Sequence, residues 1–131
     1  MGSEMCIRDS IYPDPILPKG LGYNDYLRSH GFIGDNPWEE WANSAIDSNG
    51  KRVSGWQMRN AGLPARVPEE HSETAFTTRR AIEFLDSVDP QDSWCMHLSY
   101  IKPHWPYLAP DPYHACSVSY THLTLPTILL V

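Results

Sequence analysis

The amino-acid sequence predicts an α/β fold, and three observations carry that expectation. Residues 72–88 place apolar side chains at helical spacing. Residues 93–101 are apolar on both alternating faces apart from His97 and Ser99, the pattern of a strand buried in the middle of a sheet. Asp89-Pro90 separates the two, so helix, short loop and strand make one half of a βαβ unit.

Before that unit the chain reads as loops and short elements, in keeping with its 12 prolines. Residues 11–20 carry Pro13, Pro15 and Pro18 and predict an extended loop. Tyr23 to His30 predicts a short helix: Tyr23, Tyr26 and Leu27 share one face, and Gly31 suits the position just past its end. Asp35-Asn36-Pro37 predicts a second helix start, with Asn36 as cap, Pro37 at the first helical position, and Trp38, Trp41 and Ala42 on one side. Asn49-Gly50 marks a turn within 47–55, in a small hairpin or loop. Gly62, Pro64 and Pro68 make 60–70 irregular.

The long helix starts at Ser72, which can cap it, with Glu73 in the first turn where the helix dipole favours an acid. Ala75, Thr78, Ile82, Leu85 and Val88 predict its buried stripe, with Ala81 beside it and Arg79 and Arg80 in solvent. In open α/β sheets ligands sit just past the C-terminal ends of the strands. That rule points to Lys102-Pro103-His104-Trp105-Pro106.

Composition narrows the function classes. A hydrophobic fraction of 41% with five tryptophans belongs to a globular chain. The net charge is −6 with no basic run, which argues against nucleic-acid binding through phosphates. No apolar stretch is long enough to span a membrane. Cysteines at positions 6, 95 and 116 have neither metal-ligand spacing nor a disulfide framework.

The two ends read differently from the middle. Met5-Cys6-Ile7-Arg8-Asp9-Ser10 can be encoded by ATG TGT ATA AGA GAC AG. The reverse complement of that DNA, with one base in front, encodes Ser117-Val118-Ser119-Tyr120-Thr121-His122. An inverted repeat flanking an insert is what a transposase-based sequencing library leaves behind. The expectation is therefore that residues 1–10 and 117–131 are adapter-derived, and that 11–116 is the biological part. On that reading the native N-terminus is missing. The sequence then leaves the compartment open between cytoplasm and periplasm, and the adapter-derived ends should stand apart from the α/β unit.

The chemistry-bearing candidates are Lys102 and His104. They share a loop stiffened by Pro103 and Pro106, so less conformational freedom is lost when the two cationic groups are ordered. An ammonium beside an imidazole suits an anionic ester, and the imidazole titrates near neutrality, where it can protonate a leaving alkoxide. A solvated proline-rich loop is the competing reading from spacing alone. His71 and Glu73 lie at a helix start near the same end of the strand, where capping and solvent contact account for them. His97 reads as a hydrogen-bonded core residue, Cys95 as a small buried hydrophobe, and His114 as a surface residue. Trp38, Trp41 and Trp56 can line a substrate pocket or simply pack.

The run His97-Leu98-Ser99-Tyr100-Ile101-Lys102-Pro103-His104-Trp105-Pro106-Tyr107, followed by Ala109-Pro110 and Pro112-Tyr113-His114, resembles the sulfatase superfamily. In that family a buried strand ends in a Lys-Pro-His-x-Pro-Phe/Tyr loop. Glu70-His71-Ser72-Glu73-Thr74-Ala75 and Arg80-Ala81-Ile82-Glu83-Phe84 resemble the preceding helix. The likeness is strongest over 68–114, looser over 23–60, and nearest to bacterial arylsulfatases and phosphonate monoester hydrolases. It implies a fragment of an alkaline-phosphatase-like α/β fold: a helix–strand unit of the central sheet plus irregular loops. It also implies a small anionic ester as substrate, His104 as the catalytic histidine and Lys102 as a substrate-binding residue. For the full-length parent it implies a divalent metal (calcium or manganese) and a formylglycine nucleophile, and it is compatible with a homo-oligomer. No Cys/Ser-x-Pro-x-Arg run for that nucleophile occurs in this sequence, and none of its residues is assigned to the metal. The expectation is an incomplete hydrolase, inactive alone. The alternative is a small stand-alone carbohydrate- or peptide-binding module that uses its aromatic residues.

Overall fold

The computed structural model describes residues 22–116, together with the backbone of residues 3–7. The predicted loop at 11–20 and the stretch 117–131 lie outside the described residues. The elements in order are β1 (Ser3–Ile7), α1 (Tyr23–Ser29), a π-helical turn (Trp38–Ala42), β2 (Ser44–Ile46), β3 (Arg52–Ser54), α2 (Glu73–Ser87) and β4 (Trp94–Leu98). Short 3-10 turns at Met58–Asn60, Glu69–His71 and Tyr113–Ala115 fill the connections. β1 and β4 run parallel, with Ser3 opposite Trp94 and Ile7 opposite Leu98, and α2 lies on the crossover between them. β2 and β3 form a separate antiparallel hairpin.

α1 ends as its glycine predicts. Gly31 sits at φ +88. The Phe32 and Gly31 N–H groups reach back to the carbonyls of Leu27 and Arg28 at 3.0 and 3.1 Å, which closes the last turn. The hairpin forms for a similar reason. Gly50 takes φ +76, and the Asp47 carboxylate accepts from the Asn49 and Lys51 N–H groups, both at 2.9 Å. The second helix departs from the expected α form. Asn43 N–H bonds to the Trp38 carbonyl, five residues back, at 2.8 Å, which makes the turn π. Asn36 still serves its start, because its N–H donates to the Glu40 carboxylate at 3.1 Å. The wider turn drops Trp38 into the core and returns the Asn43 amide to Glu39 at 2.9 Å.

The core is a closed cluster of Tyr23, Leu27, Trp38, Val67 and Phe76, flanked by Tyr26, Phe32, Ala42 and Ala65. α2 contributes a different stripe from the expected one. Its buried residues are Glu73, Phe76, Thr77, Ala81 and Phe84, while Ile82 is 52% and Leu85 41% exposed. The aromatic stripe prevails because each phenylalanine meets a ring. Phe76 lies 5.3 Å from Tyr23 and 4.9 Å from Tyr26, and Phe84 lies 5.9 Å from Trp94, edge-on. Arg79 also departs from expectation. Instead of reaching solvent it donates to the Glu70 carbonyl at 2.7 Å and to the Tyr26 hydroxyl at 2.6 Å, clamping α2 to α1. Arg80 pairs with Glu83 on the outer face. Ser72 caps the helix as predicted, its hydroxyl accepting from Ala75 N–H at 3.2 Å.

β4 is not buried on both faces as the sequence suggested. Trp94, Cys95 and His97 are exposed and Met96 and Leu98 half-buried. A strand is buried by layers on both its faces, and the contact described on a face of β4 is a single ring pair, Phe84 of α2 against Trp94. Cys95 and His97 are therefore surface residues and not core ones. The expectation that residues 1–10 stand apart from this unit is also not met, since Ser3–Ile7 forms the ladder with β4. Ladder hydrogen bonds are made by backbone alone, and an open strand edge offers them to any extended segment.

Candidate functional site

The loop after β4 is held at both ends. Tyr100 is tied to α2 by a 2.8 Å hydrogen bond between its hydroxyl and that of Thr78. His104 N–H donates to the Ile101 carbonyl at 2.7 Å, so the chain turns sharply over 101–104. The Lys102-Pro103 and Trp105-Pro106 peptide bonds are cis, and Pro106 is buried. The Lys102 ammonium donates back to the Pro106 carbonyl and draws the loop into a compact unit. His104 is exposed, and its Nδ1 lies 2.9 Å from the Trp105 carbonyl. A carbonyl oxygen only accepts, so Nδ1 carries the hydrogen. That leaves Nε2 for a ligand, as an acceptor in the neutral ring and a donor in the protonated one.

Beside the loop lies a cavity of about 710 Å³. Its walls are mostly apolar, with Val67, Ala75, Leu108 and Pro110 among them, and its polar groups include Lys102, Arg79, Glu69 and Glu73. An apolar pocket with a few convergent polar groups is the usual form of a small-molecule site. Lys102 thus faces the cavity while His104 stands outside it on the loop surface. Leu108 is wedged against the hairpin: a Cβ on Gly55 would collide with the Asn43 amide oxygen and meet the Leu108 side chain at 2.8 Å. Ala65 N–H to the Ala109 carbonyl, at 2.9 Å, fixes the opposite wall.

Glu73 and His71 go beyond simple capping. Glu73 is only 6% exposed and borders the cavity. Its charge adds to burial in pushing the Tyr23 hydroxyl far above its ordinary titration range, burial being the larger cause. His71 is packed among rings, 4.8 Å from His30 and 5.3 Å from Phe32, with Nδ1 at 2.7 Å from the Tyr26 hydroxyl. Tyr113 on the cavity rim donates to Glu69 at 2.8 Å, and that bond, with the carboxylate charge, raises its titration above the usual phenol range. His114 is half-buried, 3.3 Å from Asp111.

None of Trp38, Trp41 and Trp56 lines the cavity. Trp38 is core, and Trp41 is covered by the Arg66 guanidinium at 4.0 Å. Trp56 joins Trp105 and Tyr107 on the surface. The sequence placed Trp105 and Tyr107 in the loop but did not show that their rings stack there. Their signal was the alternation of aromatic and proline directly after His104. Among the described residues, no group of three or more His, Cys, Asp or Glu comes together in a way that could hold a metal ion. The described residues alone therefore do not make the divalent-metal site that the resemblance implies for the full-length parent.

No family model matches the chain. It is 42% identical over 99 residues to the multifunctional alkaline phosphatase superfamily protein PehA of Trinickia caryophylli, a match covering 75% of this chain and 18% of that protein. The phosphonate monoester hydrolase SpPMH from Silicibacter pomeroyi superposes with a TM-score of 0.56 at 28% identity, over 70% of this chain and 16% of that one. The chain thus spans less than a fifth of the length of either relative. The described architecture is that of a fragment of the alkaline-phosphatase-like fold, and in sequence and in structure the chain is related to the sulfatase/alkaline-phosphatase-like superfamily.

Proposed function

We propose that the protein to which this chain corresponds hydrolyses small anionic esters, of sulfate, phosphonate or phosphate, and that the loop after β4 takes part in binding and chemistry. The observation that carries the reading is the placement of Lys102 and His104 on one pinned turn just past the C-terminal end of β4. The phosphonate monoester hydrolase activity named for the structural relative supports it. The stand-alone binding module finds no comparable support.

In this reading the protonated Nε2 of His104 donates to a non-bridging or leaving oxygen, where charge grows in the transition state. Lys102 supplies a point charge that favours the bound anion. The nucleophile and the metal belong to parts of the parent outside this chain, and turnover requires them. Residues 1–10 and 117–131 are taken as adapter-derived in the same reading. Resequencing intact genomic DNA tests that, and recovery of the same codons in one contiguous locus would refute it.

The functional test is to clone the full reading frame and assay aryl sulfates and phosphonate monoesters with added divalent metal. Turnover of at least one class is expected, and turnover of neither overturns the proposal. His104→Ala in the parent should lower the rate by a factor of about 100–1,000 with folding intact. Lys102→Ala should raise KM more than it lowers kcat.

A further inference from the structure

Every asparagine of the chain lies among the described residues, and all but one are held or blocked. The Asn24 side chain accepts from the Trp38 N–H at 2.7 Å and donates to the Asn36 side chain at 3.2 Å. Asn36 is followed by Pro37, which has no N–H. Asn43 and Asn60 are buried. Their carboxamides donate to the Glu39 carboxylate at 2.9 Å and to the Ser54 carbonyl at 2.8 Å. Asn49 differs from all of these. It is exposed at the tip of the β2–β3 hairpin. Its hydrogen bond among the described residues is made by the backbone N–H, to the Asp47 carboxylate at 2.9 Å, and leaves the carboxamide in water.

Gly50 follows at φ +76, with open space where a side chain would stand. Without a Cβ it does not shield its own amide nitrogen. A free carboxamide directly before an unshielded amide nitrogen is the arrangement that makes asparagine chemically labile. The Gly50 nitrogen attacks the side-chain carbonyl carbon of Asn49 and forms a new C–N bond. The bond to the carboxamide nitrogen breaks, and ammonia leaves with the proton given up by the Gly50 amide. Water then opens the cyclic imide at one carbonyl or the other, which gives aspartate or isoaspartate at position 49.

The turn itself holds this reaction back. The Gly50 N–H donates to the Asp47 carbonyl at 3.0 Å, and a nitrogen engaged there is not presented to the preceding side chain. The Asp47 carboxylate ties down the Asn49 and Lys51 N–H groups, both at 2.9 Å. The Asp47 N–H donates to the Lys51 carbonyl at 3.0 Å and closes the same turn. Cyclisation therefore waits for local opening of the tip, and the Asp47 side chain sets how often the tip opens.

We propose that Asn49-Gly50 is a site of spontaneous deamidation whose rate is governed by the Asp47 side chain. Either product places a second carboxylate beside Asp47. The isoaspartyl product also routes the backbone through the side chain and lengthens it by a methylene. The pairing of Asp47 with Lys51 then fails, and the hairpin changes shape as the molecule ages.

The test is incubation of the 131-residue chain in neutral and in alkaline buffer, followed by proteolysis and mass spectrometry of the asparagine-containing peptides. Asn49 is expected to convert first, to aspartyl and isoaspartyl forms, and faster in alkali because the attacking nitrogen must lose its proton. Asp47→Ala should speed conversion at Asn49 about threefold to tenfold, the scale of one net hydrogen bond. Asp47→Asn keeps an acceptor without the charge and should stay near the wild-type rate. The readout is the ratio of conversion at Asn49 to conversion at buried Asn60, since general unfolding raises both. Asn49 converting no faster than Asn60 overturns the site. A ratio unchanged in Asp47→Ala, or raised equally in Asp47→Asn, overturns the control by the Asp47 hydrogen bonds.

Discussion

The cluster around Leu27 and the strand–loop around β4 are built on opposite plans. In the first, α1, the π turn and α2 bury their apolar faces in one another, and Leu27 has no exposed surface. In the second, β4 and the loop after it keep Trp94, Tyr100, Trp105 and Tyr107 each at least 40% exposed. The first region is closed by its own side chains. The second is shaped by backbone turns and prolines and leaves most of its aromatic side chains outward. Stability is therefore concentrated in one region and the candidate chemistry in the other, so mutations should separate the two cleanly.

The sharpest way to break this contrast is Leu27→Ala. Truncating a fully buried leucine should cost about 2–5 kcal/mol, read as a lower urea midpoint by circular dichroism. A loss below about 1 kcal/mol would mean the cluster is not the stabilising core. Ser72→Ala comes next. It removes the hydroxyl that caps α2 and should cost about 1 kcal/mol in the same measurement.

Tyr23→Phe sharpens the comparison through pH. The Tyr23 hydroxyl donates to the His71 carbonyl at 2.7 Å, and its loss should cost about 1 kcal/mol at neutral pH. Its titration is raised in the folded chain above the ordinary value of 10.0. The unfolded chain therefore loses the proton first as pH rises, so the contribution is intact below pH 10.0 and drains away above it. Wild-type stability should fall steeply on that alkaline side and Tyr23→Phe less so, in denaturation curves taken at stepped pH. The smallest effect is expected from Ile82→Gln on the exposed face of α2, a change within about 0.5 kcal/mol. A larger loss would show that this face is covered.

Much of the fold was legible because it follows local rules. Gly31, Gly50, Ser72 and Asp89-Pro90 act on their immediate neighbours, and the elements they bound appear where expected. What was not legible depended on distant partners. The stripe of α2 was read from Ile82 and Leu85, yet which face is buried was decided by Tyr23, Tyr26 and Trp94 offering rings to Phe76 and Phe84. β4 has the composition of a central strand, and composition records a layer of neighbours that the described residues do not contain. In the site, the loop was legible because prolines and cations stand together in sequence. Glu73 was not, since only the packing of α2 shows its carboxylate on the cavity.

The β1–β4 ladder has a consequence for handling the protein. The register between residues 3–7 and 94–98 is written in amide and carbonyl groups, which every polypeptide carries. A second molecule can offer the same groups. Exchange of this strand between molecules is therefore expected as concentration rises, and a hydrodynamic size that grows with concentration is the measurement that checks it.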